Sequence, residues 1–338
     1  AGFASVRQFN DVMRREFGVA PSALRRTPAT SALPADAPAL SLRLSWRGEY
    51  DVAGVGAFLA ARAVPGIEEH TATGGRRPGW EHRRAVPLPH GPATITAAVR
   101  PGEGHVVVHV RGADLRDTAA VVSRVRRWLD LDADPAAVAD VLAADPWLAP
   151  LVAALPGARV CGSADPWEGL ARTIVGQQVS VAAARTLLGR VAGAFDQREG
   201  AAGLRPFPAA DVLAAADVEQ LTALGLTGAR ARTLIGAARA VATGQVRLGA
   251  GADRPAALEA LRALPGVGEW TAQYVALRVL GDPDAFPATD LVLRRAGQAH
   301  GLEPRALATH AAAHWSPWRA YAATVLWSQP TPTTRSPS

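Results

Sequence analysis

The sequence predicts an α+β protein: an antiparallel sheet with helices in its N-terminal part, followed by a mostly α-helical core. Three observations predict this class. Between residues 40 and 111, short apolar runs alternate with polar residues at a period of two. From Asp114 onward, apolar residues recur at helical spacing between capping residues and glycines. At 338 residues and 49% hydrophobic, the chain can bury two or three separate cores.

Residues 1–26 read as a helix ending near Gly18, with Val6, Phe9, Val12, Met13 and Phe17 at helical spacing and Arg7, Arg14, Arg15, Arg25 and Arg26 around it. Residues 27–40 are rich in Pro, Ala and Ser and read as a linker. Residues 41–130 form the α+β domain. Its strand signals are Leu40–Leu44, Thr94–Val99 and Val106–Val110, the last two facing each other across Pro101–Gly104, and a helix from about Asp51 to Arg62 interrupts them. Asp114 caps a helix that carries Val121, Val122, Val125, Trp128 and Leu129 on one face. Residues 131–330 form the helical part. There Asp165-Pro166-Trp167-Glu168 is a helix start with a capping Asp, a first-turn Pro and a Glu at the third position. Further helices are expected at 180–195, 209–216, 217–224, 229–242, 254–263, 269–280, 290–300, 304–313 and 317–327, and residues 331–338 form a disordered tail.

Composition excludes several chemistries. The net charge is +6, and the chain contains no lysine, so all 36 cationic side chains are arginine. Arginine forks suit a phosphate backbone, while no lysine side chain is available to form a Schiff base. Cys161 is the single cysteine, which excludes a disulfide framework, a cysteine-ligated iron–sulfur cluster and a cysteine-rich zinc site. The eight histidines lack metal-ligand spacing. With no apolar run of 18 residues and no signal-peptide core, the expectation is a soluble, cytoplasmic, nucleoid-associated protein without a membrane partner.

The most informative stretch is Leu264-Pro265-Gly266-Val267-Gly268-Glu269-Trp270-Thr271-Ala272. One helix ends at Leu264, a Pro-Gly-x-Gly turn follows, and a second helix begins at once. Two glycines permit close backbone approach, and a helix start offers unpaired N–H groups, which together suit a DNA phosphate. In isolation the same turn is a tight connection between helices. Trp270 and Tyr274 share one face of the second helix. A Pro-containing loop then ends at Asp290, which opens another amphipathic helix and by itself reads as an N-cap.

Hairpin, aromatic helix and aspartate in this order resemble the helix–hairpin–helix glycosylases, and within them the DNA-3-methyladenine glycosylase II family. Four stretches carry the resemblance: Tyr50-Asp51 with Phe58–Glu68, Ile174–Ser180, the hairpin with Asp290, and Trp315–Arg319 with Tyr321 and Trp327. It covers roughly residues 41–330. Ahead of it, Gly2–Asn10 and Phe17–Pro21 resemble the end of an AraC-type helix–turn–helix, as in alkylation-response regulators fused to a glycosylase, so that the chain reads as part of a longer protein.

The resemblance implies a core of two helical subdomains and a monomer that acts on double-stranded DNA with alkylated bases. Asp290 stands at the family's catalytic position. Trp270, Tyr274 and Trp327 stand where aromatic rings line the pocket for a flipped base, and Gln178 where a side chain wedges into the duplex. Gly266, Gly268 and Thr271 stand among the DNA-binding positions. The backbone carbonyls of Arg262, Leu264 and Val267 match those that hold a structural monovalent cation; no cofactor is required for catalysis. Ser328 replaces a second pocket tyrosine. Surface arginines Arg278, Arg294, Arg295 and Arg319 are candidates for phosphate contacts. In bifunctional relatives a lysine follows the hairpin; here that position is Trp270, which implies hydrolysis without a lyase step. The alternatives are a non-catalytic DNA-binding module, a regulator using the helix–turn–helix remnant, and a glycosylase for oxidised bases.

Overall fold

The computed structural model describes residues 40–74, 78–195, 203–249, 251–303 and 305–329. The helix and the AraC-like stretch read in residues 1–26, most of the linker and the C-terminal tail lie outside them.

Five antiparallel strands, β1 (Leu40–Ser45), β2 (Glu68–Ala72), β3 (Trp80–Leu88), β4 (Gly91–Val99) and β5 (His105–Arg111), form one sheet in the order β1-β5-β4-β3-β2. Helix α1 (Val52–Arg62) is capped by Asp51, whose Oδ1 accepts from Gly54 N at 2.8 Å. The β4–β5 hairpin pairs Val99 with Val106, so the expected alternation places Val106, Val108 and Val110 inward, each fully buried. Asp114 does not cap the long helix. It caps a 3₁₀ turn, Leu115–Asp117, and α2 (Thr118–Trp128) begins only after it. The outcome is the same face: Val121, Val125 and Trp128 are buried under the sheet.

The helical part contains α3 (Pro135–Leu142), α4 (Ala149–Ala154), α5 (Pro166–Val175), α6 (Val181–Phe195), α7 (Ala210–Ala214), α8 (Val218–Ala223), α9 (Gly228–Ala242), α10 (Arg254–Arg262), α11 (Glu269–Arg278), α12 (Leu291–Ala299), α13 (Ala306–His314) and α14 (Arg319–Trp327). Apolar side chains sort into three cores. One lies between the sheet, α1 and α2. The second joins α5–α11 around Ile174, Val191, Leu234 and Val275. The third joins α3 and α4 to α11–α14 around Leu148, Leu277 and Trp315. The C-terminal subdomain is therefore discontinuous: the segment after α2 belongs with the last helices rather than with its sequence neighbours. Helix α11 contributes to both helical cores, Val275 to one and Ala276 and Leu277 to the other. Its exposed rim is consequently held at their junction. No described helix is long and apolar enough to cross a membrane.

Candidate active site

The hairpin joins α10 to α11. Gly266 adopts φ +84°, and a Cβ there would stand 2.0 Å from Thr233 Oγ1 of α9, so the turn can pass that helix only as glycine. Val267 N–H closes the turn on the Leu264 carbonyl at 3.0 Å. Gly268 differs: its backbone is extended, nothing lies within 4 Å of an added Cβ, and no side chain caps the helix behind it. The first amides of α11 are thus left without a side-chain acceptor at an exposed helix start. Arg262 and Glu269 pair across the hairpin at 2.7 Å through both oxygens, which ties the two helices together.

The loop after α5 is fastened to this hairpin by Gln177. Its Nε2 donates to the Gly266 carbonyl at 3.1 Å and to Thr271 Oγ1 at 2.9 Å, while its own carbonyl accepts from Arg230 Nη2 at 2.5 Å. The next residue, Gln178, is exposed and held at φ +54°, a left-handed conformation costly to a side chain bearing a Cβ. Gln178 thus projects from a turn that Gln177 braces. Thr271 is placed differently from its sequence reading. It is 3% exposed and its hydroxyl is engaged by Gln177, so it braces the hairpin from inside instead of offering that hydroxyl to a ligand.

Asp290 is the N-cap of α12, and Oδ1 accepts from Val292 N at 3.0 Å and Leu293 N at 3.2 Å. The capping reading is therefore realised, and it coexists with a second set of bonds. Trp270 Nε1 donates to Oδ2 at 3.0 Å, and Trp327 Nε1 donates to Oδ1 at 3.0 Å. Two backbone and two indole donors converge on one carboxylate. Tyr274 stacks on Trp270 with centroids 5.1 Å apart at 17°, and lies 5.9 Å from Trp327 at 58°. The three rings form an aromatic corner beside the carboxylate.

Residues 41–165 match the family described as AlkA N-terminal domain, and residues 171–318 match the HhH-GPD superfamily of base excision DNA repair proteins. Over 287 residues the chain is 33% identical to DNA-3-methyladenine glycosylase 2 of Escherichia coli strain K12, covering 84% of this chain and 95% of that protein. It belongs to that glycosylase family. A second relative, from Mycobacterium tuberculosis, is named a probable bifunctional transcriptional activator/DNA repair enzyme AlkA; it is 41% identical over 336 residues, 97% of this chain. The chain spans 65% of that relative's length. Among solved structures, a 3-methyladenine DNA-glycosylase from Archaeoglobus fulgidus shares the fold, with a TM-score of 0.69 at 22% identity over 84% of this chain and 96% of that one.

Within this glycosylase fold, Phe58 and Arg62, which the sequence did not mark as site residues, stand with Arg278 at the back of the aromatic corner. Arg278, read from the sequence as a phosphate candidate, is 8% exposed and turned inward; Nη1 donates to the Cys161 carbonyl at 2.7 Å. Phe58 and Arg62 reach the same place from α1: the Arg62 guanidinium lies 4.1 Å from the Phe58 centroid, and that of Arg278 lies 4.6 Å from it. The spacing of Phe58 and Arg62, one turn apart on α1, was the only local signal. Arg319 is also committed elsewhere, pairing with Asp284 at 2.7 and 2.8 Å and so pinning the loop before Asp290 to α14. Arg294 and Arg295 remain exposed on α12. Ser328 returns its hydroxyl to the Val325 carbonyl at 2.7 Å and adds no ring to the corner. Cys161 is buried, and burial pushes its thiol up to about 12, which suits packing and not nucleophilic attack. Among the described residues no group of three or more His, Cys, Asp and Glu could hold a metal ion.

Proposed function

We propose that this chain is a monofunctional DNA glycosylase that flips alkylated bases of the 3-methyladenine and 7-methylguanine type out of duplex DNA and hydrolyses their N-glycosidic bonds. The convergence of two pocket indoles on Asp290 carries the reading. A carboxylate whose two oxygens already accept four donors is fixed in place, and its use is electrostatic. It stabilises the positive charge that develops on the sugar as the base departs. The unpaired amides behind Gly268 would take a DNA phosphate, as a helix N-terminus does. Gln178 would fill the gap left by the extruded base, whose unstacking costs a few kcal/mol. The relative named DNA-3-methyladenine glycosylase 2 supports the lesion class.

The position after the hairpin that would carry a lyase lysine is Trp270, whose indole holds Asp290, and the chain contains no lysine; strand cleavage through a Schiff base has no nucleophile of that kind. The carbonyls of Arg262, Leu264 and Val267 are neutral oxygen donors of the kind a hard monovalent cation takes, and Leu264 retains one lone pair beside its bond to Val267. Such an ion would stiffen the turn that meets the phosphate and takes no part in bond breaking. The protein should act as a monomer on double-stranded DNA.

The test is base release from methylated duplex DNA by the wild type and by Asp290→Asn, which keeps the cap but removes the charge. A loss of about 10²–10³-fold in the single-turnover rate is expected. No release by the wild type, or equal release by the variant, overturns the proposal, and strand nicking at the abasic product overturns its monofunctional part.

A further inference from the structure

Extruding a base requires the duplex to be held at two places at once, by a grip on a phosphate and by a side chain that fills the gap. Both grips work on the DNA only if the protein between them is stiff; a compliant link yields in place of the stacked bases. Here the two lie far apart in sequence. The wedge loop joins α5 to α6, and the hairpin joins α10 to α11.

Gln177 is the link. Its Nε2 donates to the Gly266 carbonyl in the hairpin turn at 3.1 Å and to Thr271 Oγ1 in the first turn of α11 at 2.9 Å. Among the described residues it is the one side chain of the loop 176–180 that hydrogen-bonds the hairpin or α11. Thr271 thus belongs to the helix start offered to a phosphate and is held from behind by the loop that carries Gln178. Helix α9 closes a triangle. Its Arg230 Nη2 donates to the Gln177 carbonyl at 2.5 Å, and one turn further on Thr233 lies against Gly266. The ends of the loop are tied as well: Gln177 N–H closes on the Ile174 carbonyl at 3.3 Å, and Ser180 Oγ accepts from Ala183 N at 3.2 Å. Between them Gln178 is exposed at φ +54°, and among the described residues its side chain makes no hydrogen bond. The loop is tied on both sides of one free side chain.

We propose that Gln177 is a positioning residue for base extrusion: it locks the wedge loop to the hairpin, so that Gln178 enters the duplex at a fixed offset from the phosphate held at the start of α11. The inference rests on the proposed roles of Gln178 as the wedge and of the hairpin as the phosphate site. All four donors on Asp290 come from other residues, so removing the Gln177 brace leaves the bond-breaking carboxylate in place. The effect of losing the brace therefore falls on extrusion, and it grows with how firmly the lesion is paired in the duplex.

The experiment measures single-turnover release of N7-methylguanine from two duplexes that differ only opposite the lesion. One carries cytosine there, the other a tetrahydrofuran abasic analogue, so that no base pair has to be broken. Gln177→Met keeps the length of the side chain and removes its donors; the ratio of unpaired to paired release rates should rise about 10-fold, the scale of two lost hydrogen bonds. Thr271→Val keeps the shape and removes one acceptor; it serves if the first variant does not fold and should raise the ratio about 3-fold. Gln178→Ala should raise the ratio too, and adding Gln177→Met to it should raise it little further, because the brace acts through the wedge. Equal loss on both duplexes, an unchanged ratio in any of the folded variants, or full additivity of the two glutamine substitutions overturns the inference while a wild type that releases the lesion keeps the proposed function intact. A wild type that releases nothing from either duplex overturns both.

Discussion

Two regions of the molecule each hold a pair of arginines, one buried and one half-buried, and they solve the cost of that burial differently. At the seam between sheet and helices, Arg84 of β3 is 3% exposed and bonds Glu68 at 2.7 Å and also Glu168; Arg172 of α5 bonds Glu68 at 2.8 Å and Glu168 as well. Two cations meet two anions, and the charge is balanced inside the protein. At the back of the pocket, Arg62 and Arg278 meet rings and a backbone carbonyl, and among the described residues no carboxylate is in ion-pair contact with either. The regions touch, since Arg172 Nη1 donates to the Arg62 carbonyl at 3.0 Å. Neutralisation thus stops at the Arg62 backbone, and among the described residues no carboxylate pairs with the Arg62 or Arg278 guanidinium. The closed network fastens the sheet to α5; the open one is held by rings and a carbonyl instead of by countercharge.

Removing one partner should separate the two solutions. Glu168→Gln leaves two buried guanidiniums short of charge and should cost about 3–5 kcal/mol in chemical denaturation. Arg278→Met removes a cation that has no anion to strand, losing about 1–2 kcal/mol of ring and carbonyl contacts. Equal losses would erase the distinction. The seam should also respond to acid. Burial works to raise Glu68, but Arg172 and Arg84 overcome it and hold the carboxyl well below its usual range. Its contribution is therefore fully present above the unfolded glutamate value of about 4.3 and is lost as pH falls through the lower folded value. Wild-type stability should drop below roughly pH 4, and Glu68→Gln should flatten that slope. The smallest effect concerns Arg230, whose Nη2 donates to the Gln177 carbonyl at 2.5 Å while its Nε is buried without an acceptor. Arg230→Met should cost about 1 kcal/mol and speed hydrogen exchange at the Gln177 and Gln178 amides; unchanged exchange there would separate this arginine from the loop it braces.

The helical half was legible in the sequence because its boundaries are written in local chemistry. Asp165, Thr227, Asp253 and Asp290 each cap a helix through side-chain bonds to the following amides. Strand β3 was not, since His82, Arg83 and Arg84 break the alternation, and the reason Arg84 can be buried lies on α5, in Glu168. The site divides in the same way. Glycine spacing and the order of hairpin, aromatics and aspartate pointed to Asp290. That Trp270 and Trp327 would aim their N–H groups at it, or that Arg278 would turn inward onto Phe58, depends on three elements meeting, and no spacing within any one of them records it. Thr271 shows the converse: a residue within the motif whose partner, Gln177, lies on another helix's loop.

The four donors on Asp290 all come from the scaffold: two amides of α12 and the indoles of α11 and α14. None has to be supplied by the base. Under the proposed reaction, the carboxylate meets the deoxyribose in one place whichever base hangs from it. Recognition of damage then rests on how easily a nucleotide swings out and how readily its base lets go. A rigid anion would then serve lesions of different shape, and an ordinary base would escape because its bond to the sugar is the harder one to break.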